Sequence, residues 1–524
     1  MKRKVYLKIF VGIAAFVLLI KLLTVIFIEP WVGEKIEATL NEKYDDYIVE
    51  INNVHISWFS SGLVLENLTI GSRNEHGRLP GFSGEIVSIK LKGINLAKVL
   101  FKKQIQINEI TISEGSFNGK IPFPKKAGPP LISTLNIRID SILFDKINLA
   151  IENTSDKKSF SVKEGVLKVY DLHVEKQDTL AVTNFNHFDI VAEELIAVTE
   201  DSMYTVKATG LICPALSNTL TIDSFNIHPN YKNYDFAARH KFASDRIEAG
   251  FSNIFAHNFS LAGYLKSGDL ISTYIEIGNM DLKVFRDNRK IIPHVKKPEF
   301  QDMMYNYSGS LCIDSIGLLN GNVIYTEHVE KANEPGNIRF NNINAKIFNI
   351  TNDTIYKSEK AYFKMKGEAL LMGKGKFTVL LKGRIYDIHN TFSLNGTLSG
   401  MDANELNPIL EKNTFIYATS GKIDTMNFSF TANNNKATGK MKLLYHGLNI
   451  AVKNKRTDDT SAINERLSSL IANMKLLNSN PVPGKAVREG IVKYDRDPER
   501  FFFNYCFKSI LSGIKSSLTA SPKK

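Results

Sequence analysis

Side chains that could catalyse a reaction or bind a metal are sparse in this sequence. The eleven histidines are never closer together than twelve residues, so the HExxH pair of zinc enzymes is absent. Cys213, Cys312 and Cys506 lie 99 and 194 residues apart, which excludes a CxxC metal or redox unit. Neither a GxSxG nor a GxxxxGKS/T motif occurs. We therefore predict no enzyme activity, no metal and no cofactor, with the cysteines acting as small apolar side chains.

Two short sequences resemble fragments of nucleotide sites. Asp495-Arg496-Asp497 has the spacing of a metal–sugar-nucleotide pair, but no nucleotide-binding βαβ unit surrounds it. Asp497-Pro498-Glu499 is typical of a helix start, with an N-cap, a first-turn proline and a first-turn acid. Gly373-Lys374-Gly375-Lys376 is too short for a dinucleotide fingerprint and indicates the start of a strand.

The overall composition is that of a folded protein with a modest basic excess. Of 524 residues, 43% are hydrophobic and 23% charged, which excludes wholesale disorder. The net charge of +12 comes from 66 basic and 54 acidic residues. The basic residues are mostly scattered singly, whereas a nucleic-acid groove needs them clustered with stacking aromatics. We therefore predict no nucleic-acid partner, while an anionic membrane surface fits the charge.

The N-terminus has the properties of a membrane anchor. Basic residues within positions 1–8 precede an apolar run from Ile9 to Ile28, interrupted only by Lys21. Twenty helical residues cover about 30 Å, the thickness of a bilayer's hydrocarbon core. A cleaved signal peptide would have a shorter apolar region and a small-x-small site, but this run ends at Glu29-Pro30-Trp31. The positive-inside rule then predicts residues 1–8 in the cytoplasm and the chain after Trp31 across the membrane.

From about Val49 to Phe430 apolar residues alternate at period two, which predicts strands with one buried face. A recurring phrase interrupts them: two apolar residues at alternate positions, two mostly polar residues, and two more apolar residues at alternate positions. Four copies share nearly the same centre, with Asp140, Asp223, Asp314 and Asp424. Copies of the phrase begin at Val49, Leu63, Ile89, Ile105, Ile137, Leu167, Leu220, Ile275, Leu311, Ile338 and Ile423.

The phrase shifts the parity of the apolar residues by one. In a regular strand its second half would face the opposite side of the sheet. A β-bulge would return these residues to the same face, and so would a tight hairpin turn. None of the centres has the Asn-Gly, the Asp-Gly or the glycine at the first turn position that such turns prefer, and Lys92-Gly93 is the nearest to it. The pattern is consistent with bulges and with turns, and the aspartates of the repeated centre are interpreted as bulge or turn residues.

The copies have no fixed period, so a solenoid of identical rungs is not expected. A long sheet with one apolar face must twist, curl or be covered. Either an open trough or a series of sandwiches satisfies the pattern. Residues 125–130 form a predicted loop, and the prolines from Ile292 to Pro298 mark a candidate boundary within the sheet.

Beyond residue 455 the period becomes helical. Ile463, Leu467, Leu470, Ile471 and Met474 form one apolar stripe, which Asn480-Pro481-Val482-Pro483-Gly484 ends. A second stripe lies opposite Lys508 and Lys515 and comprises Phe503, Phe507, Ile510, Leu511, Ile514 and Leu518. This second helix is expected to cap an open end of the sheet or to lie on a membrane surface.

Several of these sequences together resemble the AsmA-like family of Gram-negative envelope proteins, which includes relatives of TamB and of bacterial bridge-like lipid transfer proteins. The resemblance is carried by VHISWF at 54–59, LVLENLTI at 63–70, INLAKVL at 94–100 and IQINEITI at 105–112. In the tail it is carried by 480–517, with Tyr494-Asp495-Arg496-Asp497 and Asn504-Tyr505. In the middle of the chain the similarity is limited to the general pattern of apolar and polar residues.

This resemblance implies a mainly β fold: one transmembrane helix, then a long, curled and twisted sheet forming an open groove, with short C-terminal helices. The implied division is a cytoplasmic tail at 1–8, an anchor at 9–28, a periplasmic groove at 29–455 and a helical segment at 456–524. It also implies a single-pass bacterial inner-membrane protein that moves phospholipid between the inner and outer membranes, with acyl chains and an envelope protein as partners. The alternative is a scaffold for outer-membrane protein assembly. Candidate groove residues are Ile105, Ile107, Ile110, Ile112, Ile137, Ile139, Ile142, Phe144, Ile222, Phe225, Ile275 and Ile277.

Overall fold

The structure of this protein is a computed structural model. It describes residues 14–44, 46–57, 61–73, 81–95, 98, 104–121, 136–153, 158–177, 180–184, 187–214, 216–357, 361–452 and 476–519. The chain divides into two compact units, Met1–Ser217 and Asn218–Lys524. Most of the described residues lie in strands, as the alternating pattern predicts.

The first unit begins with helix α1, Ala14–Lys43, which is long and apolar enough to span a membrane. It contains one π-helical turn, Thr24–Ile28. The beginning of the predicted span, 9–13, and the basic tail lie outside the described residues. The predicted loop at 125–130 and most of the short link at 94–100 also lie outside them.

The described residues of the first unit form nine strands of a sheet. In chain order they are β1 Tyr47–Ser57, β2 Gly62–Ser72, β3 Ser83–Lys92, β4 Gln104–Ile121, β5 Asn136–Asn153, β6 Ser159–Gln177, β7 Leu180–Asn184, β8 His187–Val198 and β9 Tyr204–Cys213. From β1 to β7, consecutive strands pair antiparallel, except that β4 and β5 run parallel. Strand β6 pairs with both β7 and β8, and β8 pairs with β9.

The second unit repeats this arrangement on a larger scale. Its strands are β10 Thr219–Pro229, β11 Asp245–His257, β12 Leu270–Asp287, β13 Leu311–His328, β14 Gly336–Thr351, β15 Tyr362–Leu371, β16 Gly375–Arg384, β17 Phe392–Asp402, β18 Ile416–Ala432, β19 Lys436–Val452 and β20 Gly490–Asp495. Each pairs antiparallel with the next, except for the parallel pair β12–β13.

Helices occupy the connections of the second unit. They are α2 Asn233–Ala238, α3 Leu261–Ser267, α4 Phe300–Tyr305, α5 Asn407–Thr414 and α6 Phe502–Leu518, with 3₁₀ turns at Thr354–Lys357 and Ala403–Leu406. Helix α4 lies in the parallel crossover between β12 and β13, because a parallel pair needs a long connection. The proline-rich segment at 292–298 therefore belongs to a crossover inside this unit, not to a boundary between units.

The repeated phrase lies inside single strands. In β1 and β2 the ladder pairs Ile51 with Leu68 and Asn53 with Glu66, but it skips Asn52 and Asn67 between them. Both strands break at the same level, so their register is unchanged and their apolar residues stay on one face. Only the copy beginning at Ile89 differs, because β3 ends at Lys92 before its second half.

These breaks line up from strand to strand across the sheets. We call the aligned positions break lines. The first line crosses Asn52, Asn67, Val87, Glu114, Lys146, Glu164, Glu193 and Gly210. At most of the paired positions along these lines, one of the two opposite residues has a positive φ, such as 52° at Asn67 and 54° at Glu114. A bulge would place an extra residue in one strand opposite a regular partner strand, and this prediction is corrected. Neighbouring strands instead break at the same level. Bulges with two residues opposite one occur at only some strand pairs, such as β13–β14.

The four aspartates of the repeated centre all lie on break lines. Asp140 lies opposite Asp171, Asp223 opposite Asn253 and Asp314 opposite Asn349, and each of these partners has a φ between 53° and 60°. Asp424 lies opposite Gly400. Their interpretation as bulge or turn residues is corrected in part: the ladders skip all four, but the register shifts only at Asp424, in its pairing with β19.

The C-terminal segment differs from the prediction. Residues 456–524 were expected to be helical, but β20 extends the sheet by pairing with β19. Asp497 does not begin the helix: its carboxylate accepts the Glu499 N–H at 3.0 Å in a turn, and α6 starts at Phe502. The stripe predicted from Ile463 to Met474 lies outside the described residues.

Candidate functional site

The candidate residues of β4 and β5 form matched pairs. Ile105, Ile107, Ile110 and Ile112 lie directly opposite Ile137, Ile139, Ile142 and Phe144 in the parallel ladder. The phrase runs through both strands, and the second break line, at Asn108 and Asp140, keeps the two halves on one face. The sequence therefore positions eight of the twelve candidates side by side.

Strand β6 continues this surface on the other side of β5. Val174, Leu172, Val169 and Leu167 lie opposite the four candidates of β5. We call the twelve residues of these three strands the first apolar patch. Only Ile107 and Ile139 are buried, each 7% exposed, and the other ten are half-buried.

A second apolar patch crosses β10, β11, β12 and β13. Ile222 lies opposite Ile254, which lies opposite Ile277, which lies opposite Leu318. Beside this row, Ile275 lies between Ala256 and Ile316. Phe225 lies opposite Phe251, with 6.3 Å between the ring centroids. Apart from the buried Ala256, these side chains are half-buried.

Other parts of the same sheets are covered. In the first unit, Val54, Leu65, Leu68 and Ile86 are buried, and Val32 and Ile36 of α1 pack against them. In the second unit, Phe392, Met441 and Val492 are at most 2% exposed in a core to which α6 contributes Phe502, Tyr505 and Cys506. A sandwich would bury the inner faces of both sheets to this degree. The patches meet these cores at Ile112 in the first patch and at Ile275 and Ile316 in the second, and their other half-buried side chains belong to neither core.

Helix α1 closes the outer edge of β1. Glu29, Gly33, Glu37 and Asn41 follow one another at four-residue spacing and so lie on one helix face. The Ile56 N–H donates to Glu29 Oε1 at 2.8 Å and the Ile51 N–H to Glu37 Oε2 at 3.2 Å.

Asn41 and Gly33 complete this contact. The Asn41 side chain accepts from the Val49 N–H at 2.8 Å and donates to the Val49 carbonyl at 2.9 Å. Gly33 permits the close approach, since a Cβ there would lie 2.9 Å from Val54 Cγ2. The helix thus supplies hydrogen bonds that a further strand would otherwise make.

Helix α6 closes the edge of β20 in the same way. The Ile491 N–H donates to Ser516 Oγ at 2.9 Å and the Lys493 N–H to Ser512 Oγ at 3.1 Å. The helix lies close because small residues face the sheet: Ser509 and Ser517 are fully buried, and a Cβ on Gly513 would meet Met441 and Val492 at 2.9 Å. Of the two roles expected for this helix, these contacts correspond to capping.

The predicted apolar face of α6 is wrong in part. Phe503 is 77% exposed and Phe507 46% exposed, while Phe502, Tyr505 and Cys506 face the core. The remaining predicted residues, Leu511 aside, pack at the margin of the core: Ile510, Ile514 and Leu518. Hydrophobicity alone misassigned the face, because close approach to a strand favours Ser and Gly over Phe.

Charged groups do not assemble a reactive centre in the part of the chain that the structure describes. No group of three or more potential metal ligands occurs there. Asp140 has Arg138 at 3.5 Å and Asp424 has His446 at 3.0 Å, both in exposed pairs. The buried pair Glu299–Arg496, at 2.7 Å, joins the start of α4 to the tail, and burial raises the pKa of Glu299. Burial also raises the pKa of all three cysteine thiols.

Sequence analysis missed the polar residues that close the sheet edges. Their signal is the four-residue spacing of Glu29, Glu37 and Asn41 on one side of α1 and of Ser512 and Ser516 on α6. Such spacing shows that side chains share a helix face, but it does not show that the face meets a strand edge.

No protein-family model matches this chain, and no curated protein is significantly similar to it. The resemblance to the AsmA-like family therefore stays a prediction that rests on the residues named above.

Proposed function

We propose that this protein carries phospholipid across a bacterial envelope, with the acyl chains lying on the two apolar patches. In this proposal α1 anchors the chain in the inner membrane, the N-terminus is cytoplasmic and the remainder is periplasmic. Lipid moves between the inner and outer membranes along the apolar face. An outer-membrane or other envelope protein receives or supplies it.

The observation that carries the proposal is the incomplete burial of the patches. Ten of the twelve side chains in the first apolar patch retain solvent exposure, although they lie in matched rows in the interior of a β-sheet. Burying an acyl chain on such a surface is favourable by about 0.8 kcal/mol per methylene group removed from water. A lipid tail is long, flexible and featureless, so it suits a row of aliphatic side chains that has no fixed polar partner.

The break lines suggest how such a surface encloses a lipid tail. Breaks in the ladder bend strands and increase their twist. Because the breaks lie in line across neighbouring strands, the proposed bend runs along the whole sheet instead of affecting one strand. The apolar face would then line a groove, with lipid head groups left at its wet edge.

No step of this mechanism uses a reacting group on the protein. Transfer along the patches is passive, because adjoining aliphatic side chains offer similar binding energy and so present low barriers between positions. Direction is set by the supply of lipid at one end and its removal at the other.

The edge contacts weigh against the alternative of a scaffold that adds strands to folding outer-membrane proteins. Strand addition needs free N–H and C=O groups at a sheet edge. Glu29, Glu37 and Asn41 occupy this edge on β1, and Ser512 and Ser516 occupy it on β20. A client strand would have to displace α1 or α6 from these positions.

Photo-crosslinking in cells tests the proposal. A photo-reactive residue replacing Ile110 or Ile277 should label phospholipid, because both side chains are half-buried members of the patches and belong to neither buried core. The matched controls are Thr111 and Glu276, whose side chains alternate to the opposite face of the same strands. Ile107 is a poorer position because it is only 7% exposed.

Labelling of phospholipid at Ile110 and Ile277 well above that at Thr111 and Glu276 is the expected result. Equal labelling on both faces, or labelling at none of the four positions, would contradict the proposal. Labelling by a β-barrel protein in place of lipid would support the assembly scaffold.

A further inference from the structure

A cluster of lysines lies on the polar face of β14, β15 and β16. Lys346 lies directly opposite Lys366, and Lys364 lies directly opposite Lys382. Lys346, Lys366 and Lys382 are exposed and Lys364 is half-buried. With strands about 4.8 Å apart and alternate residues about 7 Å apart, their backbone positions fall within roughly 10 by 7 Å. We call these four residues the lysine cluster.

The cluster is not neutralised by the protein itself. Among the described residues, no carboxylate forms an ion pair with any of the four lysines. The nearest acid on this face of β15, Glu368, is already paired with Lys376 at 2.9 Å. The neighbouring charge of Lys366 lowers the pKa of Lys364, with a further contribution from Lys382.

This arrangement costs stability, because like charges directly opposite one another on adjacent strands are destabilising. Neighbouring charges of the cluster lie within one Debye length, about 8–10 Å at physiological salt, so an approaching anion meets their combined field. The electrostatic repulsion among the four lysines is offset when an anionic partner lies against them.

The side chains indicate what kind of anion fits. Lysine is a mobile point charge without the fixed fork of arginine, so the cluster suits a diffuse anionic surface better than a particular carboxylate. Base stacking is hindered, because Lys382 Nζ already lies 4.0 Å from the centre of the Tyr362 ring. A sheet face is broad and lacks a groove. The chain also carries α1, which is suited to span a membrane and would keep membrane surfaces within reach.

We infer that the outer face of β14–β16 docks on the surface of an anionic phospholipid membrane through Lys346, Lys364, Lys366 and Lys382. The docking is electrostatic and peripheral. It is independent of acyl-chain binding by the apolar patches, so the two proposals can fail separately.

A vesicle-binding assay with the full chain tests this inference. The protein is held by α1 in nanodiscs of phosphatidylcholine and mixed with dense, separable vesicles. One set of vesicles contains phosphatidylcholine alone and the other also contains phosphatidylglycerol. At an ionic strength of about 0.1 M the protein should sediment with the second set only, and high salt should release it.

The test variant carries Lys→Gln at all four positions of the cluster. A matched variant loses the same charge at four lysines that already pair with carboxylates, three of them exposed and one, Lys207, half-buried: Lys163, Lys207, Lys283 and Lys440. Binding of the cluster variant should be at least about tenfold weaker, because each lysine near an anionic surface contributes several-fold in affinity. Binding of the matched variant should change by less than about twofold.

Thermal unfolding separates lost binding from lost folding. The cluster variant should unfold at the same temperature as the unmodified protein or higher, since the substitutions remove repulsion. Docking is refuted by equal losses in both variants or by no preference for phosphatidylglycerol. It is also refuted if a single-stranded oligonucleotide binds the cluster more tightly than the vesicles do. If the variant unfolds at a lower temperature, Lys→Arg at the four positions must retain vesicle binding for the inference to stand.

Discussion

Residues in the left-handed region determine where the strands break. Asn253 of β11 has a φ of 53° and lies between Asp223 and Gly278 on a break line. Asparagine tolerates this conformation better than other residues with a Cβ, apart from aspartate. Its neighbour must be small, because a Cβ at Gly278 would lie 2.8 Å from the Asn253 Cβ. The break is therefore specified by a pair of residues on adjacent strands.

A double-mutant cycle at this pair tests the claim. Gly278→Ala should destabilise the protein by about 1–3 kcal/mol through overpacking. The same substitution should cost much less in an Asn253→Gly background, which removes the clashing Cβ. Asn253→Val should be destabilising, because a β-branched residue at this φ is strained. The free energies of unfolding, measured in urea, check all four variants. Additive effects of Gly278→Ala and Asn253→Gly would show that the two positions are not coupled in this way.

Asp287 makes the stability of the β12 end depend on pH. Its carboxylate accepts from Arg289 Nε and Nη2, both at 2.8 Å, and from the Arg289 N–H at 3.1 Å. These bonds lower the pKa of Asp287 from its ordinary value of 3.8. The contact therefore stabilises the folded state fully above that value, and the stabilisation is lost as the pH falls through the lower folded-state pKa.

Asp287→Asn should reduce the free energy of unfolding by about 1–2 kcal/mol at neutral pH, and this difference should shrink below pH 3.8. Denaturant unfolding at a series of pH values measures it. Asp235→Asn on exposed α2 is the control and should have little effect at any pH. A difference that is constant from neutral pH to strong acid would show that the charge of Asp287 is not responsible.

At the scale of elements, two helices end the hydrogen bonding of edge strands. Exposed edges invite pairing with other chains, and proteins commonly cover them. Here α1 and α6 do so with side-chain oxygens and amides that bond to the backbone of β1 and β20. Each helix also presents a glycine, Gly33 or Gly513, at its closest approach to the sheet.

Removing these contacts should open the β1 edge. Glu37→Ala with Asn41→Ala should speed the amide exchange of Val49 and Ile51 and favour self-association in detergent, measured by hydrogen exchange and light scattering. The matched control is Glu34→Ala with Glu42→Ala, on the exposed side of α1. Unchanged exchange at Val49 and Ile51 would mean that the helix does not protect this edge.

At the scale of the whole molecule, helix α1 and the sheets that follow it predict a single-pass topology. A reporter enzyme that is active only outside the cytoplasm, fused after Lys524, should be active. The mature protein should retain α1, which intact mass spectrometry would show. Cleavage near Trp31 would contradict the anchor and leave a protein without a membrane span. Reporter activity only in the cytoplasm would reverse the proposed orientation.

Coverage of the apolar face varies between parts of the same molecule. The face is buried in β1–β3, in a cluster that Val32 and Ile36 of α1 pack against, and where α6 packs on β19 and β20. It stays half-buried over most of the two apolar patches in β4–β6 and β10–β13, although Leu311 and Ile313 of β13 are buried in the core of the second unit. This difference distinguishes surfaces that stabilise the fold from surfaces that are available to a ligand.

The sequence by itself determined the local structure. Period-two alternation predicted the strands because successive side chains point to opposite faces, and the apolar N-terminal run predicted α1 because a bilayer sets its length. The repeated phrase also showed that Ile107 and Ile110 remain on one face despite their parity. These properties depend on neighbours within a few residues along the chain.

Only the tertiary structure decided which apolar residues are covered. Alternation assigns Leu68 and Ile142 to the apolar face equally, yet Leu68 is buried in a cluster to which α1 contributes and Ile142 is half-buried. Likewise, nothing local distinguishes Phe502, which enters the core, from Phe503, which is 77% exposed. Burial depends on elements that are distant in sequence, and the close approach of α6 to β20 favoured Ser and Gly over the larger apolar residues that the pattern had selected.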